Sequence, residues 1–211
     1  MEVQYNKQYS HNLGREMEWK QYGHAGQGVL VFPSQDQRFY EWEDQGMVDV
    51  LAPMIERGLI HLICCDSIDV ETWSLTEGNQ QERNFFFRRP DLFCSLLSLS
   101  GLFHADYFFP EFTSETIWRN SPLHFLTRQN DPSLLLDAYR GKQIILCCGQ
   151  GNYEDITCPS TQRLGALLQE KNIPAWVDIW GTDVDHDFVW WRRQAQYFFD
   201  YLINNKQYQA A

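Results

Sequence analysis

Short apolar runs alternate along the chain with segments whose apolar residues recur at helical spacing. The runs predict strands, of which the first two are edge strands. The predicted strands are 2–9, 16–22, 29–32, 59–65, 94–100, 143–148 and 175–180. Helical spacing predicts helices over 47–57, over 160–171 with Ser160 or Thr161 as its cap, and from the loop around His186 to about residue 202. Buried strands that alternate with helices are typical of an α/β fold: a mostly parallel sheet covered by helices on both faces.

The length and composition set bounds on the fold and on its partners. A chain of 211 residues favours one domain over 1–211, with an aromatic-rich insertion at about 102–140 that resembles a lid. The net charge of -11 argues against nucleic-acid and anionic membrane partners, because phosphate contacts need Lys and Arg. No apolar run is long enough to span a bilayer, and the N-terminus has no signal-peptide pattern.

The six cysteines are expected to be buried thiols of a cytoplasmic protein. Their spacing fits no metal site, so no metal is expected. The oligomeric state stays open at this point.

Candidate chemistry lies after the last two predicted strands, since function gathers at the carboxyl ends of parallel strands. His186 follows the strand 175–180 on a polar loop, the position from which a base reaches a nucleophile. A carboxylate after the strand 143–148 would orient that imidazole, and Asp155 is the first choice, with Glu154 as the alternative. An acid there is equally explained by the start of a helix, whose dipole favours negative charge.

The remaining carboxylates of this region are expected to have structural roles. Asp183, Asp185 and Asp187 crowd His186 in the sequence. We interpret them as loop-turn or helix-capping residues.

Several segments together resemble the small cytoplasmic serine esterases of the α/β-hydrolase superfamily. They are FPSQ at 32–35, ICCDS at 63–67, FFFRRPDLF at 85–93, LSLSG at 97–101, GQGNYED at 149–155, and His186 with the Trp-Trp-Arg of 190–192. The resemblance covers nearly the whole chain. It implies hydrolysis of a small carboxylic ester or thioester through an acyl-enzyme, with His186 as the base, Asp155 as its orienter, and no cofactor.

The nucleophile of that family is missing from this chain. None of the 13 glycines lies in a Gly-x-Ser-x-Gly pattern. Between the strands 59–65 and 94–100, the family has two helices, a strand and the nucleophile turn, for which residues 67–93 are too few. We therefore predict an internal deletion between about 76 and 86, impaired esterase activity, and a shortened sheet in which 29–32 pairs directly with 94–100.

No other serine replaces the nucleophile convincingly. Ser67 and Ser100 lie near strand ends, but neither sits in a turn with a glycine two residues away on each side. Cys148 is expected to be part of the core.

Two further groups of residues have candidate roles. Ser34 and Gln35 follow the strand 29–32, where this superfamily places half of its oxyanion hole, although they are equally well read as turn residues. In the insertion, the candidate substrate pocket comprises His104, Tyr107, Phe108 and Trp118, with Phe109 and Phe112 nearby; a packed lid is the alternative. The competing function is a hydrolase-fold binding or interaction protein without catalysis.

Overall fold

The structure, a computed structural model, describes residues 1–69, 85–109, 115–129 and 137–209. The predicted deletion junction between about 76 and 86 falls largely outside the described residues. The chain divides into two compact units, one formed by Met1–Asn79 with Trp191–Ala211 and the other by Gln80–Trp190. The single domain and its insertion at 102–140 stay a prediction.

All seven predicted strands are present, with ends that differ by two residues at most. They are β1 Val3–Ser10, β2 Arg15–Tyr22, β3 Gln27–Val31, β4 Ile60–Cys65, β5 Ser95–Leu99, β6 Gln143–Cys148 and β7 Trp176–Ile179. The helices are α1 Glu41–Asp44, α2 Met47–Glu56, α3 Phe85–Arg88, α4 Glu115–Asn120, α5 Pro122–Arg128, α6 Thr157–Glu170 and α7 Phe188–Gln209. The α7 helix is longer than the sequence predicts.

The first unit contains a four-stranded sheet in the order β1-β2-β4-β3. The β3–β4 pair is parallel, whereas β1–β2 and β2–β4 are antiparallel. The prediction that 16–22 is an edge strand is wrong, because β2 also pairs with β4, with Trp19 opposite Cys65. The α2 helix buries Leu51 completely in this unit, and Gly58 ends the turn behind it at a φ of 65°.

The second unit contains a three-stranded parallel sheet in the order β5-β6-β7. The central strand β6 is buried from Ile144 to Cys148. The α6 helix packs against β6 and β7 and contributes Leu164 and Leu168, both fully buried, to the hydrophobic core. This unit places the ends of β5, β6 and β7 at one edge of the sheet, because parallel strands end on the same side.

The α/β fold with a mostly parallel sheet flanked by helices is confirmed, but the direct pairing of 29–32 with 94–100 is wrong. Within the described ranges β3 is the last strand of the first sheet, and β5 is the first strand of the second. Among the described strands, β3 pairs with β4 alone and β5 pairs with β6 alone. An apolar pattern reports that a strand is buried and not which strand lies beside it, so the sequence could not exclude the break.

The start of α6 also differs from the prediction. The helix begins at Thr157, before Pro159, which is tolerated in a first turn because its missing N–H has no helical acceptor there. Ser160 and Thr161 are therefore fully buried inside the helix and do not cap it.

The prediction of buried thiols holds for most of the cysteines. Cys64, Cys147, Cys148 and Cys158 are buried, and Cys65 is half-buried, all as free thiols, whereas Cys94 is exposed. Burial raises the pKa of the Cys148 thiol to about 12. Cys148 therefore lies in the core, as predicted, and is not a reactive thiolate.

None of the helices in the described parts of the chain is long and apolar enough to cross a membrane.

Candidate active site

Two loops at the carboxyl ends of β6 and β7 lie against each other and form the candidate site. The Gly151 N–H donates to the Val184 carbonyl at 2.8 Å, and the His186 N–H donates to the Asn152 carbonyl at 2.9 Å. A Cβ atom at Gly149 would collide with the Val184 carbonyl oxygen. The Gly-Gln-Gly turn after β6 is therefore required for this close approach of the two backbones.

The structure brings His186 together with Glu154. His186 Nδ1 lies 3.5 Å from Glu154 Oε2, and the side chains of these residues are 32% and 1% exposed. This distance is at the long end of the hydrogen-bond range. Asp155, the first choice for the acid, is exposed and is not the carboxylate that contacts His186.

Both acids lie in the turn that leads into α6, which begins at Thr157. The Glu154 carbonyl accepts the Cys158 N–H at 2.9 Å, so the helical hydrogen-bond pattern already includes this residue. Successive side chains in a helical turn point about 100° apart. When Glu154 points inward, Asp155 is consequently directed to solvent.

Four donors surround the Glu154 carboxylate. Oε1 accepts hydrogen bonds from the Ser100 hydroxyl and from the Gly149 N–H, the latter at 3.2 Å. Oε2 accepts the Thr157 hydroxyl and faces His186.

These contacts keep the Glu154 carboxylate charged. Burial raises its pKa, but the hydrogen bonds from His186, Ser100, Thr157 and the Gly149 N–H together outweigh burial and lower the pKa below its ordinary value. Glu154 is therefore ionised at neutral pH, the state in which a carboxylate orients an imidazole and stabilises its charged form.

Ser100 contacts the acid through its hydroxyl. It follows β5, is 6% exposed, and has a φ of 54°. In a Ser-His-Asp triad the serine hydroxyl donates to the imidazole, whereas the Ser100 hydroxyl donates to the Glu154 carboxylate. Ser67, the other serine considered, accepts the Asp69 N–H at 3.1 Å within a turn of the first unit.

The acidic residues around His186 support the loop. Asp185 Oδ1 accepts both the backbone N–H and the side-chain amide of Asn152, at 2.7 and 3.0 Å. Asp187 Oδ1 accepts the Val189 N–H at 2.7 Å at the start of α7. The predicted roles as loop-turn or helix-capping residues are confirmed for Asp185 and Asp187.

Two histidines of the insertion, His104 and His124, each contact a serine hydroxyl. His104 Nδ1 lies 3.0 Å from the hydroxyl of Ser160, which also accepts the Phe103 N–H at 2.8 Å. His124 Nδ1 lies 2.7 Å from the Ser121 hydroxyl. Burial lowers the pKa of both histidines, aided by the positive charge of Arg163 and opposed by Asp106.

The other predicted pocket residues lie in the same segment. Tyr107 is 54% exposed, and its ring meets that of Phe108 edge to face at 5.2 Å. The Trp118 ring centroid lies 5.8 Å from that of His124. Phe109 is half-buried, and Phe112 lies outside the described residues. A substrate pocket made by these side chains stays a prediction.

Ser34 and Gln35 belong to the first unit, in the turn after β3. The Ser34 N–H donates to Glu41 Oε2 at 2.7 Å, and Glu41 is itself buried. That N–H is therefore engaged by a carboxylate in this structure, whereas Gln35 is exposed. Sequence reasoning missed the role of Glu41, which no local pattern indicated.

Across the described residues, no group of three or more His, Cys, Asp or Glu side chains is placed to hold a metal ion.

No protein-family model matches this chain, and no curated protein sequence matches it. Several solved structures match the chain. The chain is similar to a ferulic acid esterase at a TM-score of 0.73 and 12% identity, over 96% of this chain and 97% of that one. It is also similar to the S-formylglutathione hydrolase of Agrobacterium tumefaciens, at a TM-score of 0.69 and 9% identity, over 96% of this chain and 94% of that one. A third similar structure is the S-formylglutathione hydrolase FrmB of Staphylococcus aureus, at a TM-score of 0.66 and 12% identity, over 96% of this chain and 98% of that one.

At these identities the likeness shows the fold alone. The chain has the α/β-hydrolase fold of these esterases, and the residues of its site have to support any functional conclusion by themselves.

Proposed function

We propose that this chain is an esterase-type hydrolase that keeps the base and the acid of its site but lacks the serine nucleophile. His186 is the general base, Glu154 orients it, and Asp155 is the alternative acid. The substrate is a small carboxylic ester or thioester. The observation that carries the proposal is the buried, ionised Glu154 carboxylate 3.5 Å from His186 at the ends of two parallel strands.

Without a nucleophilic serine, the reaction open to this pair is general-base hydrolysis. His186 takes a proton from a water molecule as the water oxygen attacks the ester carbonyl carbon. The carbon–oxygen or carbon–sulfur bond then breaks, and the proton passes to the departing alcohol or thiol. General-base assistance is worth about 10²–10⁴-fold, so turnover should be measurable and slow.

Oxyanion stabilisation is expected to be weak, which further limits the rate. One half of the hole would come from the residue after the missing nucleophile. The Ser34–Gln35 turn, the candidate for the other half, belongs to the first unit, and its Ser34 N–H already donates to Glu41 Oε2. Losing a single oxyanion donor costs about 10²–10³-fold in rate.

The site needs no metal or cofactor for this chemistry. We further propose a cytoplasmic location, because Cys64, Cys65, Cys147, Cys148 and Cys158 are free thiols. The net charge of -11 supports a small-molecule partner over nucleic acid or an anionic membrane.

The second candidate is a non-catalytic binding protein of the same fold. It is favoured by the absence of a Gly-x-Ser-x-Gly pattern in the sequence and by the carboxylate on the Ser34 N–H. The aromatic insertion around Tyr107 and Trp118 would then hold the ligand.

Hydrolysis of p-nitrophenyl acetate by the His186→Ala variant separates the two candidates. A hydrolase should lose about 10²-fold of its turnover, and a binding protein should lose none. Exposed histidines also react with such activated esters, so His24→Ala is the matched control, since the His24 side chain is 74% exposed. An equal loss in both variants would remove support for His186 as the base.

A further inference from the structure

We infer that Ser100 is a positioning residue that holds the Glu154 carboxylate against His186. The inference rests on the proposed function, because the pair it serves is the proposed base and acid. Ser100 acts through Glu154 and is not itself the nucleophile, since its hydroxyl donates to Oε1 of the acid.

The backbone at Ser100 shows why a serine there is informative. Its φ of 54° lies in the left-handed region that glycine adopts without strain and a serine does not. The Ser100 N–H donates to the Cys147 carbonyl at 2.7 Å and continues the β5–β6 ladder, so this residue is held at the end of the strand. A residue with a side chain is strained in this conformation. The presence of serine instead of glycine therefore indicates that the hydroxyl has a function.

The arrangement around the carboxylate defines that work. Apart from Ser100, the donor to Oε1 is the Gly149 N–H, at 3.2 Å. The terminal torsion of a glutamate is broad, so a carboxylate held on one side only is free to rotate. Ser100 and Gly149 fix Oε1, and this orientation leaves Oε2 facing His186 Nδ1.

Two substitutions separate the hydroxyl from the backbone strain. Ser100→Gly removes the hydroxyl and relieves the strain, whereas Ser100→Ala removes the hydroxyl and keeps the strain. Ser98→Ala is the matched control, because Ser98 lies two residues earlier on β5 and is not among the donors to Glu154.

The readout is NMR of protein labelled at histidine and glutamate, together with thermal melting. We expect both Ser100 variants to lose the downfield Nδ1 proton signal of His186. We also expect the pKa of Glu154 to rise, because burial is then opposed by fewer hydrogen bonds. Ser100→Gly should melt at or above the wild-type temperature, and Ser98→Ala should keep the wild-type spectrum.

The inference is overturned if Ser100→Gly leaves the His186 signal and the Glu154 titration unchanged. It is also overturned if Ser100→Gly does not fold, because the hydroxyl would then be a requirement of the fold. Neither reading depends on turnover. An inactive wild-type protein with the predicted NMR changes would reject the proposed function and keep the positioning role.

Discussion

Two neighbouring acids, Glu154 and Asp155, follow β6, and the choice between them is decided by one helical turn. The sequence narrows the acid to these two positions, because the Gly-Gln-Gly turn places them at the end of a strand. The sequence could not choose between the two acids, because the direction of each side chain depends on the turn that leads into α6. The structure turns Glu154 inward to His186 and leaves Asp155 in solvent.

Replacing each acid by its amide tests that choice. Glu154→Gln should lower any ester turnover by about 10²-fold, because a neutral amide no longer stabilises the charged imidazole. It should also destabilise the fold by about 1–3 kcal/mol, because an amide N–H₂ would face buried donors.

Asp155→Asn is the matched control and should stay within twofold of wild type in turnover, with an unchanged denaturation midpoint. A larger loss of turnover for Asp155→Asn than for Glu154→Gln would mean that Asp155 is the acid that orients His186.

At the scale of elements, apolar runs predict the strands well, whereas the ends of helices depend on contacts made elsewhere in the chain. Ser160 is the clearest example. Its side chain reads as a helix cap in the sequence, yet its hydroxyl accepts the Phe103 N–H of the insertion from inside α6. A contact between residues 57 positions apart cannot be predicted from a local sequence pattern.

Ser160→Ala should therefore destabilise the protein by about 1–3 kcal/mol, since it leaves a buried N–H without its acceptor. Gln162→Ala, on the exposed face of the same helix, should change stability by less than about 0.5 kcal/mol. Urea denaturation of the two variants measures the difference. Equal midpoints would mean that the contact between Ser160 and Phe103 contributes nothing to stability.

The two histidines of the insertion predict how stability depends on pH. His104 and His124 have lowered pKa values in the folded protein, so the unfolded chain takes up their protons first as pH falls. The contribution of these histidines to stability should be fully present above pH 6.5, the ordinary histidine pKa, and should decline as the pH falls below that value.

The doubly substituted variant His104→Asn/His124→Asn should show a flatter slope in that window, measured by urea denaturation at each pH. Arg163, Arg128 and Asp106 also face these rings and are unchanged in the variant. An identical slope in wild type and variant would contradict the assignment.

At the scale of the whole molecule, the alternation of strands and helices predicts an α/β fold with a mostly parallel sheet, and the resemblance of several segments implies the α/β-hydrolase fold. The division of the strands between two sheets could not be predicted, because it depends on pairing partners. The sheet of the second unit makes a distinct prediction. In hydrogen exchange, amides of β6 should be more protected than those of β5, because β6 pairs with β5 and β7, and β5 pairs with β6 alone among the described strands. Equal protection would mean that another segment covers the free edge of β5.

The measurement that tests the account most directly is the intact mass of the folded protein after treatment with a fluorophosphonate probe. We predict no covalent adduct, because the sequence lacks a Gly-x-Ser-x-Gly nucleophile and Ser100 donates its hydroxyl to Glu154. The gain of one probe mass on a serine, mapped by peptide sequencing, would contradict the account and identify a working nucleophile.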